Sequence, residues 1–110
     1  MARGANLRAR MAWSAVPLIA GVDDLARRGF VTGASGRNWA SYGADVRLHA
    51  DLPPTARDLL CDPQTSGGLL VACSPDSVDE VLAAFRADGF AEAAVVGRMR
   101  AGSAGLDVER

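Results

Sequence analysis

Lysine is missing from this sequence, and its absence removes several kinds of chemistry. All twelve basic residues are arginine. A Walker-type phosphate loop needs a lysine at the β- and γ-phosphates, and Schiff-base chemistry needs a lysine amine. The sequence therefore excludes both mechanisms from the chain itself.

Cysteine and histidine are also scarce. The two cysteines, Cys61 and Cys73, stand twelve positions apart, and His49 is the single histidine. Neither a CxxC nor an HxxxH spacing occurs, so we expect no zinc or other metal site built by this chain. Both cysteines are expected to be reduced, partly buried thiols.

Long apolar runs and an excess of one charge are absent as well. No apolar run approaches the roughly 18 residues that span a bilayer. The formal net charge is -1 over 110 residues, which gives no electrostatic case for a nucleic-acid or acidic-membrane partner. The opening residues are basic but contain neither an unbroken apolar stretch nor a small-residue cleavage site. We therefore expect a cytoplasmic protein without a nucleic-acid or membrane partner.

The apolar pattern predicts a single α+β domain. Alternation of apolar and polar residues predicts strands at 6–13, 46–51, 93–99 and 106–109. A fully apolar run predicts a buried central strand at 69–73. Helices are predicted by helical spacing at 21–28, 54–61 and 74–89. Residues 32–43 hold three glycines and no period, and they predict a long loop. The order predicts a mixed sheet with helices on one face.

The segment Asp62-Pro63-Gln64-Thr65-Ser66-Gly67-Gly68 has the composition of a ligand-facing loop. Its two glycines permit positive φ and close approach by a ligand. Successive amides from Thr65 to Gly68 could form an anion-holding nest, and Asp62 could hold a cation or orient a donor. A structural turn with capping hydroxyls is the alternative, because Asp-Pro and Gly-Gly are common turn chemistry.

Four segments carry a resemblance to a known family. Leu59 to Leu70 resembles the signature of selenophosphate synthetases nearly letter for letter. Arg37-Asn38-Trp39-Ala40-Ser41-Tyr42-Gly43 resembles that family's segment just upstream, at a matching distance. Gly4-Ala5-Asn6-Leu7 and Val95-Val96-Gly97-Arg98 fit the same order, so the likeness runs from Gly4 to the C-terminus.

This resemblance implies a fold of the aminoimidazole ribonucleotide synthetase superfamily. Members have an N-terminal ATP-binding domain and a C-terminal α+β domain, usually paired as dimers. The family makes selenophosphate from selenide and ATP, with magnesium as a cofactor, and releases AMP and phosphate. The candidate substrate- or phosphate-facing residues are then Asp62, Gln64, Thr65, Ser66, Gly67, Gly68, Arg37 and Asn38, and none is expected to be catalytic.

The sequence departs from the family in what it lacks. The glycine-rich segment with the family's reactive cysteine or selenocysteine and its lysine is absent, and so are the aspartates that hold magnesium. The Asp-Val-Thr-Gly-Phe-Gly motif that opens the C-terminal domain is absent too. We therefore expect residues 1–110 to be a partial C-terminal domain, truncated at its N-terminal side and inactive alone. It would line a cleft or support a dimer, and it would not bind ATP or magnesium tightly by itself. Its expected partner is the ATP-binding half of the enzyme or a second copy.

Two other functions stay open. The chain could be a non-catalytic dimerising or partner-binding module, because missing elements would leave edge strands and apolar surface uncovered. It could also belong to another superfamily member, such as a hydrogenase maturation factor or a thiamine-monophosphate kinase. For those we expect different letters where Gln64, Thr65 and Ser66 stand. Trp39 and Tyr42 are predicted to pin their segment to the body, with stacking on a nucleotide base as the alternative.

Overall fold

The structure, a computed structural model, describes all 110 residues and contains one four-stranded mixed sheet. The strands lie in the order β2-β4-β1-β3 and span β1 Leu7–Ala12, β2 Val46–Leu48, β3 Gly97–Ala101 and β4 Gly105–Glu109. The helices are α1 Ala2–Ala5, α2 Val22–Arg27, α3 Gly33–Tyr42, α4 Ala56–Leu60 and α5 Val78–Ala87. Single 3₁₀ turns cover Trp13–Ala15, Gly43–Asp45 and Pro75–Ser77. The predicted α+β fold with a mixed sheet is confirmed.

Strand β1 lies at the centre of the pairing. It runs antiparallel to β3 and parallel to β4, and β4 runs parallel to β2. The turn between β3 and β4 joins strands that lie on either side of β1. The chain therefore crosses the start of β1, where Leu7 pairs with Ala101 and Arg8 pairs with Gly105.

The two faces of the sheet differ in polarity because strand side chains alternate between faces. The apolar face carries Leu7, Ala9, Met11, Val46, Leu48, Met99, Leu106 and Val108, as the register shows. Val108 is only 2% exposed and is the largest fully buried side chain. Helices α3 and α4 pack on this face beside β2 and β4, where they leave a cavity of only about 40 Å³.

Helices α2 and α4 confirm the predictions for 21–28 and 54–61, within one or two residues at each end. The carboxylate of Asp23 pairs with Arg27 and also accepts a 2.8 Å hydrogen bond from Oγ1 of Thr55. Asp23 thus ties α2 to the start of α4 and is more than a surface charge. Gly29 has φ 86°, as expected for a left-handed helix stop.

The predicted loop at 32–43 is wrong, because residues 33–42 form helix α3. Two glycines and no regular apolar period argued against a helix, but tertiary contacts override so weak a propensity. Ser35 is buried, and its Oγ lies 3.2 Å from Oγ1 of Thr32 at the helix start. Asn38 donates a 2.9 Å hydrogen bond from Nδ2 to the carbonyl of Cys61. The bond from Asn38 anchors the helix against the end of α4.

The predicted buried strand at 69–73 is also wrong. These residues form neither strand nor helix, and none of their amides or carbonyls takes part in a backbone hydrogen bond. Leu69 and Leu70 are 80% and 67% exposed, and Val71 is 49% exposed. A strand needs a neighbouring backbone as well as apolar side chains, and no strand of this chain lies beside the segment.

Other strand boundaries move inward. The strand predicted at 93–99 begins only at Gly97, and the strand predicted at 46–51 ends at Leu48. The helix predicted at 74–89 is shorter, because Pro75–Ser77 form a 3₁₀ turn and helix α5 covers Val78–Ala87. None of the helices has the length and apolar character needed to cross a bilayer.

Candidate functional site

The candidate loop begins at a rigid point. Helix α4 ends at Cys61, whose amide donates to the carbonyl of Arg57 over 3.1 Å and whose side chain is buried. Asn38 binds the Cys61 carbonyl from α3, as described above. The residue before Asp62 is therefore held from two helices, which sets the direction in which the loop leaves α4.

The loop itself contains a β-turn. The amide of Gly67 donates to the carbonyl of Gln64 over 3.3 Å, with Thr65 and Ser66 at the corner. A Cβ atom on Gly67 would lie 2.7 Å from Cβ of Gln64, whereas one on Gly68 would meet nothing within 4 Å. The turn therefore requires glycine at position 67 but not at position 68.

The conformational freedom that these two glycines permit is not used for a positive φ. Neither Gly67 nor Gly68 has a positive φ, and Asn6 is the only non-glycine residue that does. An anion nest of the right-handed then left-handed type needs a positive φ, so Thr65 to Gly68 do not form one. The close approach that Gly67 permits is to the side chain of Gln64.

The loop forms one wall of an open cleft of about 490 Å³. Five of the eight predicted site residues line it, namely Asp62, Gln64, Ser66, Gly67 and Gly68. The opposite wall is apolar and consists of Pro17, Leu18, Ile19, Val22 and Leu59. The volume of the cleft lies in the range of small-molecule sites, and the cleft is open to solvent.

Three predicted site residues lie outside the lining. Thr65 is at the corner of the turn and is exposed. Arg37 folds back on its own helix, where Nη1 donates to the carbonyl of Gly33 over 3.2 Å. Asn38 is bonded to the Cys61 carbonyl and therefore positions the loop instead of facing the cleft.

The sequence analysis missed the apolar wall. Pro17, Leu18 and Ile19 follow β1 and its 3₁₀ turn without a regular apolar period. The missed signal was an apolar run between a strand and a helix that fits neither pattern. Ile19 is 82% exposed and Leu18 is 41% exposed, so this wall faces open space.

The electrostatics of the cleft depend on a single group. Asp62 is the only ionisable side chain among the lining residues, and its carboxylate makes no hydrogen bond or ion pair within the chain. The cleft by itself thus holds one negative charge and no cation. A phosphate placed here requires a cation from outside the chain. No three histidine, cysteine or carboxylate side chains converge anywhere in the chain to hold a metal.

Trp39 and Tyr42 lie on the inner side of α3. Both line the small cavity beneath α3 together with Leu60, Cys61 and Leu106. This placement agrees with pinning to the body and not with stacking in the cleft. Partial desolvation raises the pKa of the Tyr42 hydroxyl, and the neighbouring Cys61 thiol raises it further.

Comparison with known proteins connects this cleft to a family. Residues 1–108 match the family described as AIR synthase related protein, C-terminal domain. The chain belongs to this family. As an AIR synthase related C-terminal domain, it has the mixed sheet and helices described above.

The relatives narrow the resemblance further. The chain is 61% identical over 108 residues to selenide, water dikinase from Burkholderia ambifaria. The aligned region covers 98% of this chain and 30% of that protein. It is 56% identical over 103 residues to selenide, water dikinase from Pseudomonas straminea, with 94% and 29% covered. The corresponding protein of Rhizobium meliloti is 51% identical over 108 residues, with 98% and 31% covered.

Two conclusions follow from these comparisons. The predicted resemblance to selenophosphate synthetases, which are the selenide, water dikinases, is confirmed for the C-terminal domain. The AIR synthase related C-terminal domain spans about 30% of the length of the curated relatives it matches.

Proposed function

We propose that this chain supplies one wall of the substrate cleft in an ATP-dependent enzyme that makes selenophosphate from selenide. The observation that carries the proposal is the 61% identity to a selenide, water dikinase over 108 residues, which include the loop that lines the cleft. The chain acts as the C-terminal part of the active unit and does not catalyse the reaction alone.

The contribution of the loop is positional in this proposal. Phosphoryl transfer depends mainly on placing the reactants and on neutralising the charge that spreads in the transition state. The lining offers the Ser66 hydroxyl, the Gln64 amide and the Asp62 carboxylate beside the apolar wall. These groups can accept and donate hydrogen bonds to a bound substrate.

ATP and magnesium are the cofactors in this proposal, and the chain does not fit a magnesium site by itself. Magnesium is held by one or two carboxylates together with substrate phosphates. The cleft brings only the carboxylate of Asp62, and no three candidate ligands converge elsewhere. The other ligands and the cations for the phosphates belong to the ATP-binding half.

The same reasoning supports a partner. Several large apolar side chains are exposed, and Ile19, Phe30, Leu69, Leu70 and Phe90 are each more than 60% exposed. Leu69 and Leu70 are adjacent, and apolar surface of this kind supports a partner. We propose that the ATP-binding half covers it and that the active unit works in the cytoplasm.

A fused protein tests the proposed role of the loop. In it, this chain replaces the 108 matching residues of the Burkholderia relative. We expect Gly67→Ala to lower the rate of selenophosphate formation because the added methyl group clashes with Gln64 in the turn. Gly68→Ala is the matched control, because its methyl group meets nothing within 4 Å. Equal rates for both folded variants would contradict the role of the turn.

A non-catalytic dimerisation module is the second candidate function, favoured by the exposed and unpaired segment 69–73. Backbone that is apolar on both sides and free of hydrogen bonds can pair with the same segment of a second copy. Light scattering on the purified chain separates the two functions. A monomer that gains activity on fusion supports the cleft wall, and a stable dimer that gains none supports the module.

A further inference from the structure

One face of the sheet carries arginines that the proposed function does not use. The antiparallel register of β1 and β3 places Arg8 opposite Arg100 and Arg10 opposite Arg98. We call these four residues the arginine quartet. Their Cβ atoms are expected about 5 Å apart across the strands and about 7 Å apart along them.

Only half of the quartet is neutralised within the chain. Nε of Arg8 donates to Oδ2 of Asp107 over 2.8 Å, and Arg10 forms an ion pair with Glu109. Arg98 and Arg100 are exposed and make no hydrogen bond or ion pair. Like charges directly opposite one another destabilise a pair of strands. The β1–β3 pairing therefore holds an electrostatic cost that a bound anion would relieve.

The fold segregates charge beyond the quartet. Arg47 on β2 pairs in register with Asp107 and adds a fifth arginine to this face. The face carries five arginines and two carboxylates, those of Asp107 and Glu109, so it has a formal excess of three positive charges. The whole chain carries -1, so the remaining residues carry -4. Hydrogen bonding from Arg8 lowers the pKa of Asp107, and the charges of Arg8, Arg47 and Arg10 lower it further.

We propose that Arg98 and Arg100 of the arginine quartet, together with Arg47, bind the phosphodiester backbone of a nucleic-acid duplex without sequence preference. The net charge of the whole chain is close to zero and therefore does not reveal this positive face, which is why no nucleic-acid partner was expected. Guanidinium groups present paired N–H donors that match phosphate oxygens. A flat sheet face gives an extended polyanion several contacts at once.

The composition of the face argues for phosphate contacts over other occupants. Its strand residues include no aromatic or large apolar side chain, so an acidic protein would find no buried anchor there. Unpaired bases would likewise find no ring to stack on. The major groove admits a helix or a two-stranded ribbon, so a sheet of four strands is expected to hold its arginines on the phosphate backbone and away from base edges.

Counterion release sets the expected strength. Arg47, Arg98 and Arg100 are the arginines of the face without an ion pair. Three phosphate contacts give a slope of about -2.7 in log K against log salt for a duplex. Binding should therefore weaken roughly 500-fold between about 20 and 200 mM salt.

Fluorescence anisotropy of a short labelled duplex, titrated with the whole chain, tests the proposal. The double variant Arg98→Gln/Arg100→Gln should bind at least about tenfold more weakly at low salt, because only the phosphate contact of Arg47 remains. The slope of log K against log salt should fall accordingly to that of one contact. The control Arg28→Gln/Arg86→Gln removes the same charge from exposed positions outside the sheet and should bind like the original chain.

Three results would overturn the proposal: no binding at low salt, equal weakening in both double variants, or binding that salt does not weaken. Equal affinity for polyglutamate would overturn the phosphate assignment. Thermal unfolding without nucleic acid guards against a misfolded variant. Removal of the opposed charges should leave the melting temperature of Arg98→Gln/Arg100→Gln equal to or above that of the original chain.

Discussion

Two glycine substitutions test whether helix α3 and the β1–β3 pairing exist as described. Gly36 is an exposed interior residue of α3, and a Cβ placed on it meets nothing within 4 Å. Alanine there should raise the free energy of unfolding by about 0.5–1 kcal/mol, because glycine loses more backbone entropy in a helix. For a chain of this length, the melting temperature should rise by roughly 2–6 °C.

Gly97 is the opposite case. A Cβ on it would lie 2.1 Å from the carbonyl oxygen of Arg10 and 2.9 Å from Cα of Met11. Both contacts are to backbone, so β3 must move away from β1 to admit a methyl group. Overpacking of this kind costs about 1–3 kcal/mol, and Gly97→Ala should lower the stability by that amount or prevent folding.

Urea unfolding followed by circular dichroism measures both effects on one scale. The two variants add the same methyl group, and the structure predicts opposite signs for them. A Gly36→Ala variant with unchanged or lower stability would refute helix α3 and would favour the loop that the sequence predicts at 32–43. A Gly97→Ala variant as stable as the original chain would refute the register of β1 and β3.

Three further predictions concern single contacts. Asn38→Asp should lower the free energy of unfolding by about 1 kcal/mol at neutral pH, because a carboxylate then faces the Cys61 carbonyl. Urea unfolding near pH 4 should show a smaller loss of stability. A loss that does not depend on pH would contradict the contact. Arg8 lowers the pKa of Asp107 from 3.8, so this stabilisation is complete above the unfolded-state pKa and is lost as pH falls through the lower folded-state pKa. Asp107→Asn should therefore weaken the acid dependence of the melting temperature below about pH 4, and an unaltered profile would count against the pair. Leu69→Ser should reduce self-association in light scattering with little change in stability, because the side chain is 80% exposed; a large loss of stability would show that it is buried.

The sequence predicted well where the local pattern and the tertiary contacts agree. Strands β1 and β4 alternate apolar and charged residues, and the sheet buries the apolar side that the alternation indicates. Helix α2 ends where Gly29 takes a left-handed conformation. In these elements each residue pattern is satisfied by neighbours that the chain itself provides.

The failures have a common physical cause. Helix α3 is anchored by Asn38, whose partner, the carbonyl of Cys61, lies 23 residues along the sequence, where a local pattern does not show it. The segment 69–73 stays extended and exposed because no strand lies beside it, although its composition is that of a buried strand. Pairing and packing partners, and not local propensity, decide both cases.

The candidate site shows the same division. Motif residues predicted the loop side of the cleft, from Asp62 to Gly68, because their composition and family resemblance are local features. The wall at Pro17 to Ile19 was missed because only the fold brings it opposite the loop. Arg37 was assigned to the site by resemblance, but its side chain is bonded to Gly33 within α3.

Phosphorus NMR on three samples with selenide, ATP and magnesium tests the central claim most directly. The samples are this chain alone, the Burkholderia relative without its 108 matching residues, and the fusion of the two. The account predicts a selenophosphate signal from the fusion and none from either part alone. A folded fusion that forms no selenophosphate, or a relative that forms it equally well without this domain, would contradict the account.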